Sequence, residues 1–242
     1  MTKPLIGIGS DVVEVPGANR ERAFAYLTYV ESLRKAGAIP LLIPPQADNI
    51  AELLQNLDGL LLAGGDDCDP AEYGEEAHPS VEPMDRRRQA SDLSLARIAR
   101  EQRLPTLGIC LGSQVMNVAA GGTLIQDISS HDGEAMQHNS PPYDRVRHAI
   151  HLEPGSKLAT IVREASPEVN SSHHQSVGKV GRGLRVNSSA LDGIVEGIED
   201  SEHPFYVGVQ WHPEDMAGEA PAERLFEAFV GAAREHAESR RR

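Results

Sequence analysis

Two cysteines in 242 residues, Cys68 and Cys110, are too few for a disulfide framework, and a chain of this length buries enough apolar surface to fold without one. A reducing, cytoplasmic setting is therefore expected. Long apolar runs are missing as well. No stretch approaches the ~18 uninterrupted apolar residues that span a bilayer, and the N-terminus runs straight into strand-like sequence without the apolar segment of a signal peptide. Neither membrane insertion nor export is expected. Basic side chains are in deficit, 23 Lys and Arg against 36 Asp and Glu for a formal charge of −13, which sets the chain against the phosphates of nucleic acid. The basic clusters at 86–88 and 240–242 read as a helix start and a frayed tail. Pro/Ser-rich linkers and internal repeats are absent too, so a single domain over 1–242 is expected.

What the chain does have is an alternation of short apolar runs with helical stretches, the pattern of a parallel sheet covered on both faces. Residues 5–9 read as a first strand. Residues 20–36 carry Phe24, Leu27, Val30 and Leu33 at helical spacing before Gly37, which predicts a helix feeding a strand over 39–43. Asp48 is placed to cap a helix over 49–56, and Leu60-Leu61-Leu62 predicts a third strand that ends at Gly64-Gly65. Residues 66–84 are acidic, hold three prolines and have no period, so they predict a long surface loop of the functional or mobile kind. Helix returns over 85–102, with Leu93, Leu95, Ile98 and Ala99 inward, then strand over 105–109 and helix over 112–120. Beyond Gly121-Gly122, short β-like pieces at 145–152, 184–187, 193–198 and 206–210 predict a more antiparallel half of the same sheet. An amphipathic helix near 222–237 closes the chain.

The sharpest local feature is Gly108-Ile109-Cys110-Leu111-Gly112, a cysteine form of the G-x-S-x-G nucleophile elbow set between a predicted buried strand and a helix. Its glycines leave room for a turn that strains the nucleophile's backbone, and the positive end of the following helix favours an anion. A buried structural cysteine between two turn glycines would read the same way. A nucleophilic thiol needs a base, and the base an orienter. His212-Pro213-Glu214, directly after the strand 206–210, offers both: Pro213 favours extended backbone at His212, and strand-like alternation sets His212 and Glu214 on one side. A polar strand end is the plainer reading. The combination outweighs either part, because both segments lie at strand ends, where open α/β sheets place their sites. The ten histidines show no H-x-x-x-H or Cys/His ligand spacing, so no metal and no cofactor is expected.

Leu60-Leu61-Leu62-Ala63-Gly64-Gly65-Asp66-Asp67, Gly108-Ile109-Cys110-Leu111-Gly112-Ser113-Gln114 and Gly121-Gly122-Thr123-Leu124 together resemble the class I glutamine amidotransferase superfamily. Asn170-Ser171-Ser172-His173-His174-Gln175, Asp192-Gly193-Ile194-Val195-Glu196 and the segment from Gly208 to Glu214 resemble more particularly its gamma-glutamyl-gamma-aminobutyrate hydrolase group. The likeness runs in one order over nearly the whole chain. It implies an α/β fold, a three-layer sandwich with a mostly parallel central sheet of flavodoxin-like type. It also implies a cysteine hydrolase that cleaves the γ-glutamyl amide bond of a small compound such as γ-glutamyl-γ-aminobutyrate, in polyamine catabolism. The partner is then a small-molecule γ-glutamyl substrate, without nucleic acid or membrane, and the assembly a homodimer. On this resemblance Cys110 is the nucleophile, His212 the base and acid, and Glu214 its orienter. Gly65 and Leu111 supply the N–H groups of an oxyanion hole, Gln114 contacts the glutamyl moiety, and His173 borders the glutamyl pocket, a turn role for His173 and His174 staying open.

Two departures bear on the substrate. Leu111 stands where the hydrolase group commonly has arginine, and Arg88-Gln89-Ala90-Ser91-Asp92 replaces an R-D-x-x-E pattern. Two other readings share the same fold: a glutaminase subunit that hands ammonia to a separate synthetase, none being appended here, and an inactive binding module. Cys68 reads as a semi-buried loop thiol or a neighbour of Cys110.

Overall fold

A strand whose successive side chains point to opposite faces buries Leu60, Leu61 and Leu62 together only if both faces are covered. They are fully buried in the computed structural model, which describes residues 2–130, 136–139 and 146–240. The first half of the chain forms β1 (Leu5–Gly9), β2 (Asp11–Glu14), β3 (Glu21–Phe24), α1 (Leu27–Lys35), β4 (Ile39–Ile43), α2 (Ile50–Gln55), β5 (Gly59–Leu62), α3 (Arg86–Glu101), β6 (Thr106–Ile109) and α4 (Leu111–Ala119). The second half adds β7 (Leu124–Ile125), β8 (Val146–Leu152), α5 (Lys157–Val162), β9 (Glu168–Ser171), β10 (Ser176–Val177), β11 (Arg185–Ala190), β12 (Val195–Glu199), β13 (Tyr206–Val209) and α6 (Ala220–Arg240). Among the described residues no helix is long and apolar enough to cross a membrane.

Nine strands make one sheet in the order β4-β1-β5-β6-β13-β12-β11-β8-β9. The pairs from β4 to β13 are parallel and those from β13 to β9 antiparallel. Leu61 enters a core on one face with Ile8, Ile109, Val209 and residues of α1, α5 and α6, while Leu60 and Leu62 enter a second core with residues of α2, α3 and α4. The result is an α/β sandwich of three layers. Its register sets Leu62 against Gly108 and Ile109 against Val209. The chain therefore leaves β5, β6 and β13 at one edge of the sheet, side by side.

Three local expectations change. Residues 21–24 belong to a β2–β3 hairpin turned at Gly17, and the helix starts only at Leu27, after the extended Tyr26. The helical spacing that included Phe24 lost to cross-strand pairing, and α1 buries Tyr29 and Leu33 while Leu27 faces solvent. The cap of α2 is Asn49 in left-handed backbone, a conformation asparagine tolerates, with Asp48 one residue outside. The loop 66–84 is pinned: Asp67 bridges Pro83, Glu82 N–H donates to the Asp67 carboxylate at 2.8 Å, and His78 N–H donates to Gln126 Oε1 at 2.7 Å.

Burial pushes His203 down to about 4, and its Nδ1 accepts the Phe205 N–H at 3.2 Å, a bond that protonation destroys. The unfolded chain takes that proton near pH 6.5, so this contribution to stability is complete above that pH and is lost as pH falls from there toward 4. Urea unfolding at pH 7 and pH 5 should show a loss of about 2 kcal/mol from this residue, absent in His203→Gln.

Candidate active site

The turn between β6 and α4 is built by what glycine lacks. A β-carbon on Gly112 would collide with the Leu62 carbonyl oxygen, so only glycine lets the start of α4 lie against β5. Cys110 sits in this turn at φ 52° and ψ −110°, a conformation that costs a side-chain-bearing residue of order 1–3 kcal/mol. Its thiol is buried and accepts a hydrogen bond from Gln210 Nε2 at 3.4 Å. Gln210 is held in turn by Gln114, whose amide nitrogen donates to Gln210 Oε1 and to the Gln175 carbonyl, each at 3.2 Å.

The adjacent strand delivers His212. The chain leaves β13 at Val209 and tightens into a 3₁₀ turn at Pro213–Asp215. It is this turn, rather than strand alternation, that folds Glu214 back so that its Oε1 lies 2.7 Å from His212 Nδ1. Asn170 fixes the backbone of His212 on both sides: it donates to the His212 carbonyl and accepts from the His212 N–H, both at 2.9 Å. Burial alone would lower the imidazole, but the charges of Glu214 and Cys110 outweigh it and push His212 up to about 10. A β-carbon on Gly64 would stand 3.2 Å from His212 Cε1 and 3.6 Å from the Cys110 β-carbon, so the loop after β5 lies against both residues.

That loop is held from below by Arg88. Its guanidinium is fully buried, donates to the carbonyls of Gly64 at 2.7 Å and Ala63 at 3.2 Å, and pairs with Asp92 at 3.2 Å and Asp11 at 2.8 Å. Asp92 thus pairs with Arg88 from one helical turn along, at the position of the glutamate in R-D-x-x-E. Burial still pushes Asp92 up to about 6 against the pull of Arg88. With the Gly64 carbonyl drawn to Arg88, a trans peptide turns the Gly65 N–H the opposite way. A β-carbon on Gly65 would collide with the Arg88 guanidinium. Among the described residues neither the Gly65 N–H nor the Leu111 N–H, the latter in the unpaired first turn of α4, has a protein acceptor. Tyr29 supports the loop from the other side, its hydroxyl accepting from the Gly64 N–H at 3.0 Å; burial and the nearby Glu214 charge keep the phenol protonated. A cleft of about 240 Å³ opens between this loop and the β2–β3 hairpin.

The structure therefore gathers Cys110, His212, Glu214, Gly65 and Leu111 at the edge shared by β5, β6 and β13. Gln114 is beside them but spends its amide nitrogen on protein. His173 is buried, with Nδ1 on the Gln175 carbonyl at 3.0 Å and Nε2 3.4 Å from Glu196, so both ring nitrogens face protein groups. Cys68 is wholly buried in the core on the other side of the sheet, and burial with the nearby acidic side chains pushes its thiol up to about 12. Sequence reasoning missed Gln210, Asn170, Tyr29 and the supporting role of Arg88. Gln210 was within reach, two residues before His212 at the end of the same strand.

The family model described as peptidase C26 matches residues 4–214. A Mycobacterium tuberculosis protein with the provisional name glutamine amidotransferase is 36% identical over 240 residues, 96% of this chain and 75% of that one. The gamma-glutamyl-gamma-aminobutyrate hydrolase of Escherichia coli is 32% identical over 259 residues, 100% of this chain and 98% of that one. Among solved structures, the glutaminase domain of a Trypanosoma brucei CTPS with bound acivicin superposes with a TM-score of 0.67 at 17% identity, covering 97% of this chain and 94% of that one, which is a likeness of fold. With a family model matched over most of its length and full-length relatives above 30% identity, the chain belongs to the peptidase C26 family of class I glutamine amidotransferase-like proteins.

Proposed function

We propose that the protein hydrolyses the γ-glutamyl amide bond of a small γ-glutamyl compound, with Cys110 as nucleophile, His212 as base and acid, and Glu214 as its orienter. The observation that carries this reading is the meeting of a strained, buried Cys110 with an imidazole whose Nδ1 is held 2.7 Å from a carboxylate. The raised His212 favours the imidazolium form, whose proton the departing amine can take. The Cys110 sulfur attacks the side-chain carbonyl, and the oxyanion is stabilised by the Gly65 and Leu111 N–H groups. His212 gives its proton to the departing amine, leaving a γ-glutamyl thioester on Cys110. Water then adds to the thioester as His212 takes its proton, and the sulfur leaves with glutamate released.

Purified protein should release glutamate from one or more of glutamine, γ-glutamyl-γ-aminobutyrate, other γ-glutamyl amines and γ-glutamyl dipeptides in a mass-spectrometric screen, with Cys110→Ala inert. Turnover of none of them, or equal turnover by the variant, would sink the proposal. Leu111 in place of arginine favours a second reading, a glutaminase that serves a separate synthetase. That enzyme would prefer glutamine and be nearly idle alone. In the hydrolase, Asn170→Ala frees the backbone of His212 and should lower kcat about tenfold with KM little changed, since no substrate contact is lost.

A further inference from the structure

Three histidines and a glutamate from four separate segments converge inside the protein, beside the candidate active site. His138 Nδ1, His148 Nε2 and His173 Nε2 stand 3.2, 3.5 and 3.4 Å from Glu196 Oε1, and all four side chains are buried. The four facing atoms lie within 4.8 Å of one another. The other nitrogen of each ring is committed outward: His138 Nε2 to the Asp192 carboxylate at 2.9 Å, His173 Nδ1 to the Gln175 carbonyl at 3.0 Å, and His148 Nδ1 to the Ala149 carbonyl at 3.3 Å. Those partners only accept, so the outward nitrogens carry the hydrogens, and in the neutral rings the inward ones present lone pairs. Glu196 is an acceptor as well.

With the rings neutral, four acceptors face one another with no donor between them. Among the described residues, none of the three inward nitrogens and neither Glu196 oxygen has a hydrogen-bond partner. Buried groups left in this state are costly, and a carboxylate more than most. Protons on the rings would set N–H groups toward the carboxylate, but none of the three contacts has the direction of a hydrogen bond. We propose that His138, His148, His173 and Glu196 bind one divalent transition-metal ion, with zinc the ion they fit.

The metric supports it. Ligand atoms ~2.0–2.1 Å from a tetrahedral ion stand about 3.3 Å apart, and the three distances to Glu196 bracket that spacing. Imidazole and carboxylate ligands suit zinc, and outward bonds to a carboxylate and carbonyls are the usual way to orient ligating histidines. The two charges of the ion are matched by Glu196 and Asp192. Four protein ligands leave no open position, so the role is structural. The ion ties the segment 136–139 to β8, β12 and the turn after β9. That turn carries the Gln175 carbonyl, which Gln114 also holds, so the site braces the group of side chains that reaches Cys110. None of this depends on the reaction proposed for Cys110.

The intact chain, prepared without a histidine tag or chelator, should contain about one zinc ion by mass-spectrometric metal analysis. After stripping, cobalt(II) alone should titrate in at one per chain with the visible bands of tetrahedral cobalt, and zinc alone should raise Tm by roughly 10 °C. Asp192→Asn keeps all four ligands and should weaken zinc about 10- to 100-fold, while His148→Gln should abolish stoichiometric binding. If His148→Gln does not fold, the Asp192→Asn affinity and the cobalt spectrum decide. Protein with less than about a tenth of an ion per chain, no tetrahedral cobalt spectrum and no Tm response would overturn the assignment and leave a protonated cluster.

Discussion

Cys110→Ala should lower hydrolysis of a γ-glutamyl substrate by at least about ten-thousand-fold with little change in stability, and Cys110→Gly should lose the same activity while gaining about 1 kcal/mol. The contrast comes from the backbone. At φ 52° and ψ −110°, any residue with a β-carbon is strained, so alanine inherits the cost and glycine relieves it. The sheet enforces the conformation: the Cys110 N–H donates to the Val209 carbonyl at 2.8 Å, and the glycine at 112 holds α4 against β5. Urea unfolding and turnover measured on the same preparations separate the two effects. Wild-type-like turnover by the alanine variant would remove Cys110 as nucleophile, and a glycine variant no more stable than the alanine one would show that the turn stores no strain.

Arg88→Met should cost about 3–5 kcal/mol, because it leaves the buried carboxylate of Asp92 without its partner. It should also lower kcat by about a hundredfold, since the Gly64 carbonyl loses the donor that sets the direction of the Gly65 N–H. The double change Arg88→Met with Asp92→Leu tells stability from positioning. An apolar pair in place of the ion pair should restore most of the unfolding free energy, whereas kcat should stay low. Recovery of both would mean that Arg88 acts on turnover only through stability, and the positioning role would fall.

Much of the site was legible because its chemistry is local. The elbow needs glycines two residues either side of the nucleophile, and His212 and Glu214 lie within one turn, so a short stretch of sequence carries each piece. The reason given for the second piece changed: a 3₁₀ turn led by Pro213 brings Glu214 to His212, where strand alternation had been expected. The hairpin over 11–24 was not legible, because Phe24 sits at a helical interval from Leu27 and only its pairing with Asp11 shows it to be in a strand. His173 was assigned to the pocket by resemblance alone. Its neighbours in space, Glu196 and His138, are distant in sequence, and no spacing rule links them.

The sequence by itself determined the order of apolar runs, hence a layered α/β fold, and the identity of a thiol in a glycine-bounded turn with a histidine and a carboxylate after a later strand. Those are properties of neighbouring residues, set by side-chain size, periodicity and backbone freedom. Tertiary structure alone decided that β5, β6 and β13 end side by side, that Arg88 reaches under Gly64, and that Gln210 meets the sulfur. It also decided that three scattered histidines face Glu196. Such contacts arise from strand order and register, which bring together residues that no local rule of spacing connects.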